Sequence, residues 1–292
     1  MKLFFIFNLH AGKNKVKSAL PEIIDTMSKM GHEVTLHSTQ FKGQAKNIIE
    51  NLPEGYDRII CAGGDGTLDE VVSGVMARKD KLPIGYIPAG STNDFAVSLG
   101  IPQKMKEAVN TALGDRLFKC DLGNLNGNSF VYVAAFGLFA EVSYETSQDA
   151  KNVLGHAAYI LEGAQRLKDI KSYRLKVSAG GETIEGEFIH GMITNSESVG
   201  GFKNITGNNI DLSDGLFEVT LVAKPKNPAD LAEILLALQN RDHKAKGLYY
   251  FKTDFVSFEC EEEVTWTLDG EFGGAFKETK IINEREKLDI FV

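Results

Sequence analysis

The sequence predicts two domains: an α/β N-terminal domain over residues 1–122 and a β-rich, sandwich-like C-terminal domain over residues 123–292. Three observations lead to this prediction. The chain has 292 residues, which exceeds the usual size of one domain. Apolar runs alternate with helix-like segments in the first part, which predicts a parallel sheet with helices on both faces. Strand signals separated by turn residues dominate the second part.

The N-terminal elements follow one another in strict alternation. Short apolar or alternating runs predict strands at KLFFIFN, HEVTLHST, DRIICAGG and PIGYIPAG. Helical spacing of apolar residues predicts helices at KVKSALPEIIDTMSKMG, GQAKNIIENL, TLDEVVSGVMAR, NDFAVSLG and QKMKEAVNTALG. Ligands of such sheets bind at the carboxyl ends of the strands, so the turns that follow the strands are the first place to look for a site.

The C-terminal elements are mainly antiparallel. LFKCDLGNLNGNSFVYVAAFG predicts two strands joined at Asn126 and Gly127, a strong hairpin signal. A helical region is expected over residues 141–171, and SYRLKVSAGGETIEGEFIHGMITNS then predicts a hairpin with a Gly-Gly turn. GLFEVTLVAK predicts a strand, PADLAEILLALQNR a helix, and the remaining residues strands up to Val292.

Composition limits the classes of partner and compartment. The net charge of −8 argues against nucleic acid as the main partner, because phosphate binding usually leaves a basic footprint. Three widely separated cysteines lack metal-ligand spacing and predict reduced thiols in a cytoplasmic protein. No segment approaches the ~20 apolar residues of a transmembrane helix, and the first residues lack the features of a secretory signal.

Three glycine-rich turns each follow a predicted strand: NLHAGK at residues 8–13, GGDGT at 63–67 and PAGSTNDFA at 88–96. In a parallel sheet, all three lie along one edge. Glycine lets backbone N–H groups approach a ligand, and a following helix N-terminus favours anions. Together the turns predict a phosphate or nucleotide site, whereas each alone is compatible with an ordinary strand-to-helix connection.

The acidic residues in these turns allow two interpretations. Asp65 either caps a helix that begins near Thr67, or it is a carboxylate beside a phosphate site that needs a metal ion to relieve charge repulsion. Ser91 or Thr92 could cap the next helix, but the following Asn-Asp pair exceeds what a cap requires. Neither a P-loop nor a dinucleotide fingerprint is present in the sequence.

These motifs resemble the diacylglycerol kinase catalytic domain. GGDGT, the upstream Asn-x-x-x-Gly-Lys turn and the downstream PAGSTNDFA carry the resemblance, and DLSDGLFEV and TLDGEFGG extend it over nearly the whole chain. The sequence is most similar to the soluble bacterial lipid kinases that join this domain to a β-rich C-terminal domain. The resemblance implies the fold shared by NAD kinases and diacylglycerol kinases.

The resemblance implies that ATP meets the glycine-rich turns, with Mg²⁺ on the phosphates held by Asp65. Asp69 departs from the family, which commonly has Asn there, and Asp94 and Asp121 are implied acidic supports. The implied nucleotide-binding residues are Asn8, Leu9, His10, Ala11, Gly12, Lys13, Thr39, Gly63, Gly64, Asp65, Gly66, Thr67, Leu68, Asp69, Ser91, Asn93 and Asp94.

Two further sites are implied in the C-terminal part. Glu271 of the DGE motif is the implied catalytic base, although Asp-Gly by itself is also a common turn pair. Asp211, Asp214 and Leu216 of DLSDGL are the implied ligands of a structural Mg²⁺, and the alternative there is again an Asp-Gly turn.

The function implied by the resemblance is ATP- and Mg²⁺-dependent phosphorylation of the hydroxyl of diacylglycerol or a related lipid at a membrane surface. The expected location is cytoplasmic or peripheral to the inner face of the membrane, and a homodimer is one expected state. Two alternatives stay open: an NAD kinase-like phosphotransferase, and a nucleotide- or lipid-binding protein without catalysis. The sequence leaves the acceptor lipid open.

Overall fold

The structure is a computed structural model. It describes residues 1–12, 14–138, 170–199, 202–203, 210–240, 242 and 245–292. The helical region expected over residues 141–171 and the predicted nucleotide ligand Lys13 therefore lie outside the described residues, apart from the last two residues of that region.

The N-terminal part alternates strands and helices. Its elements are β1 (Lys2–Phe7), α1 (Lys15–Lys29), β2 (Glu33–Ser38), α2 (Gln44–Glu50), β3 (Arg58–Gly63), α3 (Asp65–Ala77), β4 (Ile84–Pro88), α4 (Asp94–Ser98) and α5 (Met105–Ala112). The strands stand in the order β4-β3-β1-β2, and each neighbouring pair is parallel. The ends of β1, β2, β3 and β4 therefore meet at one edge of the sheet.

Helices cover both faces of these strands. Side chains of a strand alternate between faces, and successive residues of β1 accordingly join different cores. Leu3 and Phe5 are buried with side chains from α1 and α5. Phe4 and Ile6 are buried with side chains from α2 and α3. The continuous apolar runs of β1 and β3 are thus explained by burial on both sides.

The C-terminal part is rich in strands. It comprises β5 (Leu117–Leu125), β6 (Asn128–Phe130), β7 (Val133–Gly137), β8 (Tyr173–Ala179), β9 (Glu182–Thr194), β10 (Ser198–Val199), β11 (Phe202–Lys203), β12 (Phe217–Ala223), α6 (Pro228–Asn240), β13 (Leu248–Thr253), β14 (Phe255–Leu268) and β15 (Glu271–Phe291). The predicted hairpin turns are present, because Asn126 and Gly127, like Gly180 and Gly181, have positive φ angles.

The last strand ties the two parts together. β15 begins in a hairpin with β14, pairs with β5 over its second half from Ile281 onward, and ends beside β4 in parallel register, with Ile290 opposite Ile84. The described strands of both parts consequently form one 13-stranded hydrogen-bonded sheet, with β10 and β11 apart from it. The predicted boundary after residue 122 falls within β5, and both the domain division and the sandwich-like packing stay predictions.

The described helices include none that is long and apolar enough to cross a membrane. α6 instead packs against the sheet, since Leu231 and Ile234 are buried with Ile189, Val222 and Leu248.

Candidate active site

The three glycine-rich turns pack directly on one another. A Cβ atom added to Gly12, which has a φ of 54°, would lie 1.7 Å from the carbonyl oxygen of Ala89. A Cβ on Gly90 would lie 2.7 Å from the Cα of Gly64. These glycines are therefore required by backbone-to-backbone contact between the turns. Gly66 differs, because an added Cβ there would meet nothing within 4 Å, so the space beside this residue is open.

The first turn is anchored to the neighbouring strand. The backbone N–H of Asn8 donates to the carbonyl of Ala62 at 3.0 Å, and the side-chain oxygen of Asn8 accepts from the N–H of His10 at 2.9 Å. Leu9 and Ala11 pack against the α1 side of the core. The turn consequently presents its backbone at the strand ends in a fixed shape.

Thr39 and Gly63 complete the edge from neighbouring strands. Thr39 is buried, and its N–H donates to the carbonyl of Phe7 at 2.9 Å, which continues the pairing of β1 and β2. A Cβ on Gly63 would lie 2.6 Å from the side chain of Thr67, so the two residues pack tightly at the start of α3.

Asp65 is the first residue of α3, and the interpretation of Asp65 as a cap of a helix beginning near Thr67 is wrong. Gly64 occupies the N-cap position in an extended conformation, with no side-chain cap. The carboxylate of Asp65 faces α4, where its Oδ2 accepts from the hydroxyl of Thr92 at 3.2 Å. Its Oδ1 is buried without a hydrogen-bond partner among the described residues.

The environment of Asp65 disfavours its negative charge. Burial is the main cause that raises the pKa of the Asp65 carboxyl, and the nearby charge of Asp94 adds to it. The amides of Asp94 and Phe95 and the Thr92 hydroxyl oppose the rise. A half-buried carboxylate whose Oδ1 has no partner among the described residues, beside a second carboxylate, fits a bound cation, which would relieve the repulsion.

The third turn is stabilised by its own asparagine. Asn93 has a φ of 53°, and its side chain accepts from the N–H of Gly90 at 2.7 Å and donates to Gln103 at 2.9 Å. Asn93, and not Ser91 or Thr92, occupies the N-cap position of α4, and its own side chain does not cap the helix. Ser91 is exposed, whereas Asn93 is buried and closes the turn.

Asp94 connects this edge to the C-terminal part of the chain. It is buried, and its Oδ1 accepts from the hydroxyl of Ser198 at 2.5 Å. Ser98, at the end of α4, shares a hydrogen bond of 2.6 Å with Ser196. The segment around Ser198 therefore closes over α4.

The Asp-Gly pair before Glu271 forms a tight turn. Asp269 and Gly270 have φ angles of 50° and 84° and connect β14 to β15. Asp269 is buried, and its carboxylate accepts backbone N–H groups from Val131 at 2.5 Å, Tyr132 at 3.0 Å and Val133 at 2.9 Å. Burial outweighs these donors and raises the pKa of Asp269 to about 6. The turn is therefore fixed to the strand region that precedes β7.

Glu271 lines a cleft beside this turn. The cleft has a volume of about 320 Å³ and is bordered by Asp69, Ser129, Leu268, Glu271, Phe272 and Phe276, among others. The side chain of Glu271 is 42% exposed, and its Oε2 forms an ion pair with Lys42 from the loop between β2 and α2. A carboxylate that is accessible from a cleft and adjoins a cation can accept a proton from a bound hydroxyl group.

α3 joins the glycine-rich turns to the Glu271 cleft. Asp65 and Asp69 are four residues apart and lie on the same face of the helix, about one turn from each other. Asp69 contacts the carboxyl of Asp269 and is close enough to Glu271 to feel its charge. Tyr132 is buried beside this group, and burial, followed by the charges of Asp269, Asp65, Asp94 and Asp69, raises the pKa of its hydroxyl. One helix face thus carries both regions of the site.

The predicted metal loop is stabilised by its own hydrogen bonds. Asp211 Oδ1 accepts from the N–H of Ser213 at 3.0 Å, and Asp214 Oδ1 accepts from the N–H of Leu216 at 2.9 Å. Asp214 Oδ2 lies 3.8 Å from Lys252 Nζ. Within the described ranges, no group of three or more His, Cys, Asp or Glu residues is arranged to hold a metal ion. These hydrogen bonds show that the loop contains the expected turn, and the Mg²⁺ site stays a prediction.

Asp121 supports this loop. Its carboxylate oxygens accept the N–H groups of Gly215 at 2.6 Å and Glu286 at 2.7 Å, and its own N–H donates to Leu212. Burial and the charge of Asp214 raise the pKa of Asp121. Asp121 thus acts on the DLSDGL loop.

Two functional contacts were not predicted from the sequence. Glu70 accepts the N–H groups of Gly43 at 2.7 Å and Ala45 at 3.0 Å, which fixes the start of α2 and the loop that carries Lys42. Glu70 lies three residues after the GGDGT motif, and this proximity was the available signal. Lys42 is an isolated, exposed lysine, and nothing in its local sequence marks it.

A larger hollow of about 930 Å³ lies on β8, β9, β14 and β15 between charged side chains such as Arg174, Glu185 and Lys277. The predicted site residues are not among its described walls, so the smaller cleft is the better candidate for the active site.

Comparison with known proteins shows the family of the chain. Residues 2–125 match the sequence model of the diacylglycerol kinase catalytic domain, which places the chain among lipid kinases. The chain is 32% identical to a diacylglycerol kinase of Staphylococcus carnosus over 98% of this chain and 93% of the relative. It is 31% identical to a diacylglycerol kinase of Bacillus subtilis over 92% of this chain and 89% of the relative. The chain belongs to the diacylglycerol kinase family.

The fold agrees as well. A crystal structure of a diacylglycerol kinase from Bacillus anthracis Sterne superposes with a TM-score of 0.77, at 20% identity, over 99% of this chain and 96% of the other. At this identity the likeness concerns the fold alone, which has a sheet-rich C-terminal region in both proteins.

Proposed function

We propose that this enzyme transfers the γ-phosphoryl group of ATP to the hydroxyl of diacylglycerol or a related lipid in a Mg²⁺-dependent reaction. One observation carries the proposal: a single face of α3 presents Asp65 at the glycine-rich turns and Asp69 beside the cleft of Glu271. The donor and the acceptor of a phosphoryl group would then lie at opposite ends of one short helix face. The names of the relatives support diacylglycerol as the acceptor.

The glycine-rich turns would bind the nucleotide. ATP supplies the phosphoryl group, and Mg²⁺ would offset the phosphate charge next to Asp65. Gly66 leaves open space at the start of α3, and the N-terminus of a helix favours an anion. The half-buried Asp65 carboxylate, whose Oδ1 has no hydrogen-bond partner in the described part of the chain, would hold the cation on the phosphates.

Glu271 would activate the lipid hydroxyl. A lipid hydroxyl is a weak nucleophile, so a carboxylate within hydrogen-bond reach has to accept its proton as the oxygen attacks phosphorus. Lys42 neutralises Glu271 in the structure, and arrival of the hydroxyl would replace part of that contact. The exposed Phe272, next to Glu271, offers an apolar surface at the mouth of the cleft for an acyl chain.

The predicted Mg²⁺ ligands Asp211, Asp214 and Leu216 belong to the proposal as a structural site. The residues fit a cation only in part, because Lys252 already lies near the carboxylates of Asp214 and Glu218. Contact with a membrane surface also belongs to the proposal, since the acceptor is a lipid.

A transfer assay with labelled ATP tests the proposed reaction. The protein is incubated with Mg²⁺ and, in parallel, with dispersed diacylglycerol, phosphatidylglycerol, a sphingoid base, undecaprenol or NAD. The expected result is labelled product from diacylglycerol or another of these lipids. Labelling of NAD alone would identify an NAD kinase, and ATP binding without any labelled product would identify a binding protein.

A further inference from the structure

The contact between Asp69 and Asp269 has no role in the phosphoryl transfer described above. Asp69 projects from α3 and Asp269 from the turn between β14 and β15, and their carboxyl groups are within hydrogen-bonding contact. Asp269 is only 5% exposed. Asp69 is half-buried, and two carboxylates in contact at such a site repel each other when both are ionised, so the contact requires a shared proton or a cation.

The surroundings decide which carboxyl carries the proton. Asp269 faces three backbone N–H groups, which stabilise its ionised form. Asp69 faces acids: Asp269 from the turn, Glu271 from β15 and Glu70 from its own helix. Burial and these three charges raise the pKa of Asp69 well above its usual range. The proton therefore belongs on Asp69, and its O–H donates to the Asp269 carboxylate.

We infer that Asp69 is a protonated positioning residue whose O–H holds Asp269 and thereby aims the β14–β15 hairpin, with Glu271, at the cleft. Asp269 and Glu271 are two residues apart across a turn with positive φ angles. A hydrogen bond that holds Asp269 in place therefore also sets the direction in which β15, beginning at Glu271, leaves the turn. The role in catalysis rests on the proposed function, whereas the proton-sharing contact does not.

The other groups that face the pair do not replace this proton. Tyr132 directs its hydroxyl to the backbone oxygen of Asp269 at 3.4 Å, and the nearby carboxylates keep it protonated. Lys42 pairs with Glu271 at the exposed side of the cleft. Among the described groups around Asp69, the Asp69 O–H is therefore the hydrogen-bond donor that α3 offers to the Asp269 carboxylate.

Protonation of Asp69 makes the stability of the fold depend on pH. The folded state binds the Asp69 proton more tightly than the unfolded state does, so this contact stabilises the fold fully below the unfolded pKa. Stability is lost as pH rises toward the folded pKa, because the unfolded chain releases its proton first. An amide at residue 69 would donate to Asp269 at every pH.

The experiment compares Asp69→Asn with the wild type and with Asp25→Asn, a control that removes a surface carboxylate paired with Lys29 on α1. Infrared spectra at pH 7 are expected to show a protonated-carboxyl band in the wild type and in Asp25→Asn but not in Asp69→Asn. Melting temperatures from pH 5 to pH 9 are expected to fall less steeply in Asp69→Asn than in the other two proteins. Neither readout depends on phosphoryl transfer.

Activity adds a readout that a merely structural role would not move. Asp69→Ala cannot donate a hydrogen bond at residue 69. This variant is expected to lower kcat, and the fold-change in kcat should exceed that in KM at least several-fold. Asp69→Asn is expected to keep most of the kcat that Asp69→Ala loses. The alkaline decline of kcat should be weaker in Asp69→Asn than in the wild type.

Three outcomes would overturn the inference. The first is the same infrared band in wild type and Asp69→Asn. The second is an equal pH slope of melting in all three proteins. The third is a wild-type melting temperature that rises with added Mg²⁺ and loses this response in Asp69→Asn, which would mean that a cation bridges the two carboxyls. Absence of kinase activity with the band and slopes as expected would reject the proposed function and leave the proton-sharing pair intact.

Discussion

The glycine-turn edge, formed by residues 8–12, 63–67 and 88–96, and the β14–β15 hairpin reach their shapes in different ways. At the edge, the turns approach one another because Gly12, Gly64 and Gly90 lack side chains. At the hairpin, a buried carboxylate, Asp269, draws backbone N–H groups from a distant segment. The edge is organised by close backbone packing, whereas the hairpin is organised by charge. This difference suggests that binding of nucleotide and activation of the acceptor can be disrupted separately.

The largest effect is expected from Glu271→Gln. Glutamine keeps the shape of the cleft but cannot accept a proton, so kcat should fall by about 10²- to 10⁴-fold. Steady-state kinetics with labelled ATP and the acceptor lipid measures this. Glu262→Gln, an exposed change on β14, serves as the control. Equal rates for Glu271→Gln and wild type would reject Glu271 as the base.

Asp65→Asn is expected to act on the other region with a somewhat smaller effect. Loss of the charge next to the phosphates should lower kcat/KM by about 10²- to 10³-fold, in the range seen when one electrostatic contact to a transition state is removed. The melting temperature should not fall, because Asp65 does not cap α3 through its side chain and its half-buried charge lies beside that of Asp94. Full activity in this variant would contradict a metal role for Asp65.

Gly12→Ala tests the backbone packing of the edge. The added Cβ would meet the carbonyl oxygen of Ala89, and alanine also disfavours the φ of 54°. We expect a loss of about 1–3 kcal/mol in unfolding free energy, measured by urea denaturation. Gly100→Ala is the matched control, since Gly100 has a φ of 67° and nothing within 4 Å of an added Cβ. Equal losses in the two variants would mean that strain alone, and not contact between turns, is responsible.

The smallest effect on stability is expected from Lys42→Gln. The ion pair with Glu271 is exposed, and such pairs contribute about 0–1 kcal/mol. The melting temperature should match that of Lys29→Gln, an equally exposed lysine paired with Asp25. kcat should change in Lys42→Gln and not in Lys29→Gln, because only Lys42 contacts the proposed base. A kcat for Lys42→Gln equal to the wild type would remove Lys42 from the site.

The same contrast explains what could be predicted from the sequence. The glycine-turn edge could be predicted because each turn is a contiguous motif after an apolar strand, and parallel strands place their carboxyl ends together. The structural reason for Gly12 and Gly90 could not be predicted from the sequence. Their contacts are with backbone atoms of other turns, and a motif does not reveal which of its glycines touch protein and which leave space.

The hairpin was predicted only in outline. The Asp-Gly turn and Glu271 could be identified, but the anchoring of Asp269 at Val131–Val133 depends on how β7 and β14 pair. Asp69 and Asp269 are likewise far apart in the sequence, and no local pattern predicts that they are in contact. The return of β15 to β4 was missed for the same reason, since strand pairing over long separations leaves no local signal.

We propose that nucleotide binding and proton transfer belong to separate regions joined by α3. Calorimetric titration of Mg²⁺-ATP into wild type, Glu271→Gln and Asp65→Asn tests this separation. We expect Glu271→Gln to bind Mg²⁺-ATP with the affinity of the wild type and Asp65→Asn to bind it at least tenfold more weakly. Weakened binding in Glu271→Gln, or wild-type affinity in Asp65→Asn, would mean that the two regions do not act separately.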